Sequence, residues 1–439
     1  MKRILLIDDD PVFLSSLSKF FTDEGWHVLQ AQDGEAGLNL AAQHLPETIV
    51  CDLHMPRSNG FQVCRSIRCH QDALGKAKIV VTTSSQYPTD RQNALEAGAD
   101  EYLVKPVNGP ELLKILERFQ KTNAVETSVS ASPVSSKGQG TKLRFWGVRG
   151  SLPTPGPTTV HYGGNTSCVE VRADGELIIL DAGTGIRSLG LQLASEFKDK
   201  PLNVTLLISH THWDHIQGFP FFAPAYNPRN SLRVLAYEGA RRGLEATLAI
   251  QMESPYFPIS MQQMPGNITV QELKDLSFKI GEVRVEASFV NHPGVCVGYR
   301  LFTREGSIAY VPDNELFQRL KAQNTEGSAH DIESVQDFAR RQDQKLIKFI
   351  HGADVLIVDS QYDADEYPQH VGWGHSCADD SVALAASAEV KRVFLFHHDP
   401  SHGDAKISQM LARARDLAAR LGGKLQVEAA REGGEVDLM

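Results

Sequence analysis

Five short apolar runs alternate with amphipathic stretches over the first 122 residues, and this alternation restricts the fold more than any other feature. The runs are Arg3–Ile7, Val28–Ala31, Thr48–Cys51, Ala77–Thr82 and Glu101–Val104. Between them, stretches such as Val12–Asp23 and Asp90–Ala97 place apolar residues at helical spacing. Strands that alternate with helices pair in parallel, so the pattern predicts an α/β, doubly wound first domain over residues 1–122.

Polar residues follow several of these runs at the point where each strand is predicted to end. Asp8 and Asp9 follow the first run, Asp52 the third, Thr83 the fourth and Lys105 the fifth. The carboxyl ends of parallel strands meet at one edge of a sheet, where clustered carboxylates repel unless a hard cation such as Mg²⁺ joins them. A lysine and a hydroxyl alongside can hold phosphoryl oxygens, and one aspartate can then act as a nucleophile.

The segments ILLIDDDP, IVCDLHMPRSNGF, VVTTSS and AGADEYLVKP, taken in this order, closely resemble the receiver domain of bacterial two-component response regulators. That family has a flavodoxin-like (βα)5 fold. The resemblance implies that Asp8, Asp9 and Asp52 bind Mg²⁺ and that Asp52 accepts phosphate from a sensor histidine kinase. It also implies a homodimer and three residues that respond to the phosphate: Thr83, Tyr102 and Lys105.

The amino-acid composition of the chain changes after this domain. Residues 123–141 are rich in Ser, Thr and Gly and have no helical or strand period, which predicts a flexible linker. An ordered loop packed on one domain is the alternative. Of the 16 histidines only four precede residue 123, so 16 − 4 = 12 lie in the remainder. Because histidine is the commonest metal ligand, we expect the chemistry in a second domain, residues 142–439.

The strongest motif of the second domain is His210-Thr211-His212-Trp213-Asp214-His215, which follows the apolar run VTLLIS. On an extended segment His210 and His212 project to the same side and can bind one ion. Asp214 and His215 follow on the turn and can reach a second ion. Imidazole and carboxylate ligands suit Zn²⁺, Mn²⁺ or Fe.

Two metal ions need more ligands than this motif supplies. His292, Asp313 and His397 each follow a later strand-like run. We expect His292 to join His210 and His212, His397 to join Asp214 and His215, and Asp313 to bridge the two ions. The adjacent His398 is the alternative to His397.

This pattern resembles the metallo-β-lactamase superfamily, an αββα sandwich with a dinuclear metal site at one edge. The segment GHSCAD, residues 374–379, is more similar to ribonuclease Z-like phosphodiesterases, which include small bacterial enzymes that cleave cyclic nucleotides. The resemblance implies that His375 is a proton donor. It also implies that Asp181, in IILDAG, supports a metal-ligand histidine without binding the metal.

Together these features predict a phosphorylation-controlled phosphodiesterase in which Asp214 orients the attacking water and His375 protonates the leaving group. The insertion 216–291 carries seven basic and seven acidic residues, and the whole chain has a net charge of −10. Without a basic groove for a polymer, a cyclic nucleotide or cyclic dinucleotide is the favoured substrate. The alternatives are a ribonuclease, a thioester or lactone hydrolase, and a phosphorylation-dependent binding protein with a structural metal site.

Composition excludes several other classes of protein. No apolar run approaches the ~18 residues that a membrane span requires, and six cysteines without a CxxC pair do not suggest a disulfide framework. We therefore expect a cytoplasmic protein without a membrane segment or a DNA-binding domain.

Overall fold

The computed structural model describes residues 2–55, 58–68, 70, 74–85, 88–118, 140–198, 200–237, 243–254, 256–323 and 329–438. The predicted linker, 123–141, lies outside the described residues up to position 139. The last helix of the first domain ends at Arg118 and the first strand of the second begins at Lys142, so the domain boundaries at 122 and 142 stay a prediction. Among the described residues, no helix combines the length and hydrophobicity needed to cross a bilayer.

The first domain is a five-stranded parallel sheet. Its strands are β1 Arg3–Ile7, β2 His27–Ala31, β3 Thr48–Asp52, β4 Lys78–Thr83 and β5 Glu101–Val104. They pair in the order β2-β1-β3-β4-β5, which is the flavodoxin-like order. The helices between and after them are α1 Pro11–Asp23, α2 Gly34–His44, α3 Gly60–Arg68, α4 Pro88–Glu96 and α5 Gly109–Arg118. The predicted fold of this domain is therefore confirmed, with strand ends within one residue of those expected.

Local chemistry explains how these elements begin and pack. The Asp10 carboxylate caps α1 by accepting hydrogen bonds from the backbone N–H groups of Val12 and Phe13. All residues of β3 and β4 are buried, as expected of central strands covered by helices on both faces.

The second domain consists of two seven-stranded sheets. The first has the order β11-β10-β9-β8-β7-β6-β19 and the second β12-β13-β14-β15-β16-β17-β18. The strands of the first are β6 Lys142–Gly147, β7 Cys168–Ala173, β8 Glu176–Leu180, β9 Asn203–Ile208, β10 Ser231–Ala236, β11 Asn267–Glu272 and β19 Glu435–Asp437. Those of the second are β12 Ser277–Ile280, β13 Val283–Phe289, β14 Val297–Thr303, β15 Gly306–Val311, β16 Val355–Asp359, β17 Arg392–Phe396 and β18 Gln426–Ala429.

Helices cover the outer face of each sheet. They are α6 Gly185–Glu196, α7 Trp213–Ile216, α8 Leu244–Ile250, α9 Phe317–Gln323, α10 Ala329–Ile350, α11 Ala378–Ser387 and α12 Asp404–Arg420. Apolar residues of α6 and α8 pack on the first sheet, and those of α10, α11 and α12 pack on the second. A third apolar layer, with Phe145 and Leu180 from the first sheet and Tyr310 and Phe396 from the second, lies between the sheets. This is the predicted αββα sandwich.

Candidate metal centre

Strands from both sheets of the sandwich end at one edge, and the predicted site residues follow them directly. Asp181 follows β8 and His210 follows β9 in the first sheet. In the second sheet Asp313 follows β15 and His397 follows β17. Parallel neighbours present their carboxyl ends together, which is why residues distant in the sequence converge here.

Five overlapping groups of three possible ligands lie at this edge in the described part of the chain, including two that share no residue with each other. The ligand atoms of His210, His212 and His292 lie within 4.8 Å of one another, and so do those of Asp214, His215 and His397. These are the two groupings that the sequence predicts.

Asp313 lies between the two groups. Its Oδ2 is 3.6 Å from Nε2 of both His210 and His292 and 3.4 Å from Nε2 of His397, while its Oδ1 is 3.1 Å from Nε2 of His215. A carboxylate in this place can bridge two cations. The structure thus brings together all seven predicted ligands, and their role in binding metal stays a prediction.

The hydrogen bonds around the cluster leave one nitrogen of most imidazoles directed at its centre. The Nδ1–H groups of His292 and His397 donate to Gly374 O at 2.8 Å and to Gln361 Oε1 at 2.9 Å. Nδ1 of His215 donates to Asp181 Oδ2 at 2.8 Å, and Nδ1 of His210 lies 3.1 Å from the Ser209 hydroxyl. A neutral imidazole that donates through Nδ1 keeps a lone pair on Nε2, which is the form that binds a metal.

The donor set fits divalent cations. Within the described part of the chain, His210 Nε2 and Asp313 Oδ1 are buried and have no hydrogen-bond partner. Nε2 of His292 also faces Nδ1 of His212 at 2.9 Å, and Nε2 of His215 faces Nε2 of His397 at 3.3 Å. Buried lone pairs directed at one another are costly unless a cation lies between them.

Burial and the neighbouring carboxylates set the acid–base properties of the cluster. Burial lowers the pKa values of His210, His212 and His292, so these rings are neutral. Burial also acts against a proton on His215, but the carboxylates of Asp313, Asp214 and Asp181 outweigh it and raise its pKa. That concentration of negative charge is the environment in which a cation replaces the proton.

Asp181 supports the cluster from behind. Besides His215, its carboxylate accepts hydrogen bonds from the Ser209 N–H and hydroxyl, both at 2.7 Å, and from the Tyr310 hydroxyl at 2.8 Å. Asp181 is fully buried and is not a member of either group. Its position agrees with the predicted supporting role, which stays a prediction.

His375 lies at the edge of the cluster beside His397, with the ring centroids 4.8 Å apart. Its Nδ1–H donates to Asp359 Oδ2 at 2.8 Å. Burial disfavours the imidazolium, but the adjacent Asp359 carboxylate outweighs it and raises the pKa of His375 to about 9. The Asp359 carboxylate thus favours the imidazolium form of His375, in which Nε2 is the remaining N–H.

Two supporting residues, Gln361 and Glu315, were not predicted from the sequence, whereas Asp359, in LIVDSQY, was expected to line the mouth of the site. Gln361 orients His397, and Asp359 orients His375. The buried Glu315 accepts hydrogen bonds from the backbone N–H groups of Gly372 and Gly374, both at 2.8 Å, which fixes the turn before His375. A sequence signal was present for Asp359 and Gln361, because both follow the end of an apolar strand. Glu315 gave no such signal.

His398, the alternative ligand to His397, does not point into the cluster. His398 is buried and its Nε2 donates to the backbone oxygen of Ala430 at 2.9 Å. Burial lowers the pKa of His398 to about 3. Its ring therefore takes part in packing, while the ring of His397 points into the cluster.

The predicted phosphorylation site of the first domain is also assembled. Lys105 Nζ lies 2.7 Å from Asp8 Oδ2 and 2.8 Å from Asp52 Oδ1. Burial and the neighbouring Asp52 raise the pKa of Asp8 to about 7. Asp9 lines the same cleft as Asp52 and Lys105, and its Oδ2 lies 3.3 Å from Nζ of Lys345 in the second domain.

The two predicted switch residues near this site are buried. Thr83 has no exposed surface and Tyr102 is 3% exposed. The Tyr102 hydroxyl donates to the backbone oxygen of Ser85 at 3.2 Å. Their response to phosphate stays a prediction.

Comparison with known families agrees with this arrangement. The family model of the response regulator receiver domain matches residues 4–117, and that of the beta-lactamase superfamily domain matches residues 177–398. The second match covers half of the chain and includes every residue of the two groups. The chain belongs to the beta-lactamase superfamily. Its first domain is a response regulator receiver domain, as predicted.

The curated relatives resemble the receiver domain. The response regulator MprA of Mycobacterium sp. (strain KMS) is 41% identical over 111 residues, which are 25% of this chain and 47% of the relative. The chain thus spans about half the length of the curated relatives it matches.

Solved structures resemble the superfamily domain at low sequence identity. The metallo-beta-lactamase fold protein YhfI from Bacillus subtilis aligns with 68% of this chain and 98% of its own, at a TM-score of 0.47 and 15% identity. The short form of human tRNase Z aligns with 68% of this chain and 99% of its own, at a TM-score of 0.44 and 17% identity.

Proposed function

We propose that the chain is a response regulator whose output domain is a dinuclear metal-dependent phosphodiesterase. The observation that carries this proposal is the set of imidazoles whose Nδ1 atoms are held by hydrogen bonds and whose Nε2 atoms surround Asp313. Two divalent cations in such a site activate water and neutralise charge on a phosphoryl group. The proposed ligands are His210, His212, Asp214, His215, His292, Asp313 and His397, and these imidazole and carboxylate donors suit Zn²⁺, Mn²⁺ or Fe.

His375 and Asp359 favour a phosphodiester over other hydrolysable bonds. A sugar alkoxide is a poor leaving group and needs a proton as it departs, which an imidazolium beside the metal centre can donate. Asp359 keeps that proton on the ring and orients Nε2. On the other side, the Ser151 N–H donates to Asp214 Oδ2 at 2.8 Å, so Asp214 is held in place to orient the attacking water.

Exposed aromatic side chains next to the site favour a small nucleotide. Trp213, between His212 and Asp214, is 71% exposed, and Trp373, between Gly372 and Gly374, is 62% exposed. Exposed indole rings beside a cluster of possible metal ligands can stack on nucleobases. We therefore propose a cyclic nucleotide or cyclic dinucleotide as the substrate.

We further propose that a sensor histidine kinase transfers a phosphoryl group to a carboxylate oxygen of Asp52, and that the chain forms a homodimer. The pairing of Lys105 with Asp8 and Asp52 supports the first part, since this arrangement matches a receiver phosphorylation site. Sedimentation of the full chain with and without beryllofluoride tests the second part.

The deciding experiment is a substrate panel on the full chain with its metal content measured. The panel contains cyclic mononucleotides, cyclic dinucleotides, an aryl phosphodiester, a structured RNA, a thioester and a lactone. We expect turnover of a cyclic phosphodiester, and we expect His375→Ala to lower kcat by about 10²–10⁴-fold at unchanged metal content.

His351→Ala is the matched control, because His351 is an exposed histidine outside the cluster. Full activity of His375→Ala would remove the proton-donor role. A metal-loaded protein that is inert on every substrate would instead support a binding protein with a structural metal site.

A further inference from the structure

One contact joins the receiver domain directly to the metal centre. Asp90, in α4, is fully buried, and its Oδ1 accepts a hydrogen bond from the backbone N–H of Gly294 at 2.5 Å. The two residues are 204 positions apart, and Gly294 lies two residues after His292. A carboxylate of the first domain therefore holds the turn that carries a proposed metal ligand of the second.

On the receiver side, Asp90 is connected to the predicted switch residues through Ser85. The Ser85 hydroxyl donates to Asp90 Oδ2, and the Ser85 N–H donates to Thr83 Oγ1 at 3.1 Å. The Tyr102 hydroxyl donates to Ser85 O. Both Thr83 and Tyr102 thus determine where Ser85 lies, and Ser85 in turn contacts Asp90.

On the hydrolase side, Gly294 lies at the tip of the turn after β13. Val290 N–H donates to Cys296 O at 3.1 Å, which closes the turn at its base. At the tip, Gly294 has a φ of +82°, and nothing lies within 4 Å of where a Cβ would be. The hydrogen bond to Asp90 therefore restrains the tip from the receiver side, and His292 lies between the base and the tip.

Packing around this contact keeps the two domains together. The rings of His54 and Phe289 have centroids 5.5 Å apart, and Lys345 pairs with Asp9 at 3.3 Å. Phe289 is the last residue of β13, so the receiver touches the strand that leads into the turn. The same cleft is lined by Asp52 and Lys105 from one domain and by Asn291 from the other.

We propose that Asp90 is a positioning residue for the hydrolase centre, supplied by the receiver domain, and that it couples the state of Thr83 to the position of His292. This inference rests on the proposed hydrolase function. A phosphoryl group on Asp52, at the end of the neighbouring strand β3, attracts the Thr83 hydroxyl. Movement of Thr83 withdraws the acceptor of the Ser85 N–H, which alters the contact of Ser85 with Asp90 and loosens the turn at Gly294.

The first measurement is hydrogen exchange on the full chain, loaded with Mn²⁺, in the presence and absence of beryllofluoride and Mg²⁺. The Gly294 amide of the wild type should exchange faster when beryllofluoride is bound. In Asp90→Ala it should exchange about tenfold faster than in the wild type without any addition, since a hydrogen bond to a charged group is lost. Asp90→Asn keeps an oxygen that accepts from Gly294 and should restore most of the protection.

The second measurement is hydrolysis of an aryl phosphodiester by the same proteins. The rate of the wild type should change on addition of beryllofluoride, whereas the rate of Asp90→Ala should be the same with and without it. Asp23→Ala is the matched control, because Asp23 is an exposed receiver carboxylate that pairs with Lys19 at 3.2 Å. Loss of a residue needed only for folding would not abolish the response to beryllofluoride in a variant that stays folded and keeps its metal.

The two measurements separate the possible failures. Unchanged Gly294 exchange in Asp90→Ala would show that the contact does not restrain the turn, and a retained rate response in that variant would show that the signal takes another route. Either result overturns the proposal. If Asp90→Ala does not fold, Ser85→Ala removes the hydroxyl donor alone and should also abolish the response. A protein inert on phosphodiesters would contradict the proposed function, and the exchange data would still decide whether the contact exists.

Discussion

A single buried carboxylate, Asp181, organises much of the metal centre. It receives hydrogen bonds from His215, Ser209 and Tyr310, and its φ of +61° lies in the left-handed region. A non-glycine residue adopts this conformation at a cost, and the surrounding hydrogen bonds compensate for that cost. This backbone conformation brings the carboxylate within hydrogen-bond distance of His215 Nδ1.

The first prediction concerns this carboxylate. Asp181→Asn should lower the affinity for the metal ions by about 10–100-fold, because the amide is a weaker acceptor for His215 Nδ1–H and the ring loses basicity and orientation. Metal retained against a competing chelator measures the effect. Asp174→Asn is the control, since Asp174 also has a positive φ of 53° and is buried, but binds Arg304 instead. Equal losses in the two variants would contradict the role of Asp181.

His398 gives a prediction about pH. Its pKa is lowered by burial to about 3 in the folded protein, whereas an unfolded histidine titrates near pH 6.5. Below that pH the unfolded chain binds a proton that the folded chain excludes, so stability is full above about pH 6.5 and falls as the pH decreases. At pH 5.5 this residue alone should remove about 1.4 kcal/mol from the free energy of unfolding.

Urea unfolding of the wild type and of His398→Gln at pH 7.5 and 5.5 measures this contribution. The variant should lose about 1.4 kcal/mol less than the wild type over this interval. The same loss in both proteins would show that His398 is not buried in its neutral form. The comparison cancels the contributions of the other histidines.

At the scale of elements, turns between strands decide where the ligands lie. The turn 372–374 is fixed by Glu315, and it carries the oxygen that holds His292 and the chain that leads to His375. Gly374 has a φ of +89°, and a Cβ on it would lie 2.6 Å from His292 Nδ1. No side chain fits there without moving His292.

We therefore expect Gly374→Ala to lower metal affinity and phosphodiester turnover by more than about tenfold, because it displaces a ligand by several tenths of an ångström. Gly352→Ala is the control, since Gly352 has a φ of +65° but nothing within 4 Å of the added Cβ. Both variants should lose about 1–2 kcal/mol of stability from the left-handed backbone. Only Gly374→Ala should lose metal, and metal retention in both would contradict the predicted clash.

At the scale of the whole molecule, the metal ions should stabilise the second domain. Buried histidines and carboxylates that follow strands of both sheets meet at the cluster, so ions bound there would join the two sheets. At a free metal concentration of 1,000 times Kd, the stabilisation is about 4 kcal/mol.

Chelation should accordingly lower the unfolding temperature of this domain, and addition of Zn²⁺ or Mn²⁺ should restore it. Calorimetry of the full chain measures the shift, with His210→Ala as a control that removes a ligand and should reduce the response. An identical thermogram before and after chelation would show that the cluster binds no ion.

Much of the fold was predictable from local patterns in the sequence. The receiver strands were expected within one residue of their observed ends, because a buried parallel strand is a short apolar run bounded by polar residues. The motif from His210 to His215 was equally clear, since its residues lie within one strand end and one turn. For the sandwich, resemblance to a family predicted the architecture that the periodicity of short strands could not.

Side-chain hydrogen-bond networks were harder to predict from the sequence. Glu315, Asp359 and Gln361 each orient another site residue, but nothing in their immediate sequence shows which partner they meet. The choice of His397 over His398 was likewise open, because adjacent residues at a strand end point in different directions only once the chain packs. His397 follows the strand with a φ of +61°, a conformation that sequence periodicity does not predict.

The sequence by itself therefore determined the receiver topology and the residue types of the candidate metal site, because these depend on short-range spacing, and resemblance to a family identified the second domain. Tertiary structure alone decided which imidazole nitrogens face the centre, where Asp313 lies between the two groups and that Asp90 reaches Gly294. Those relations join residues far apart in the chain, and their geometry is set by how two sheets and a second domain pack, which no local pattern records.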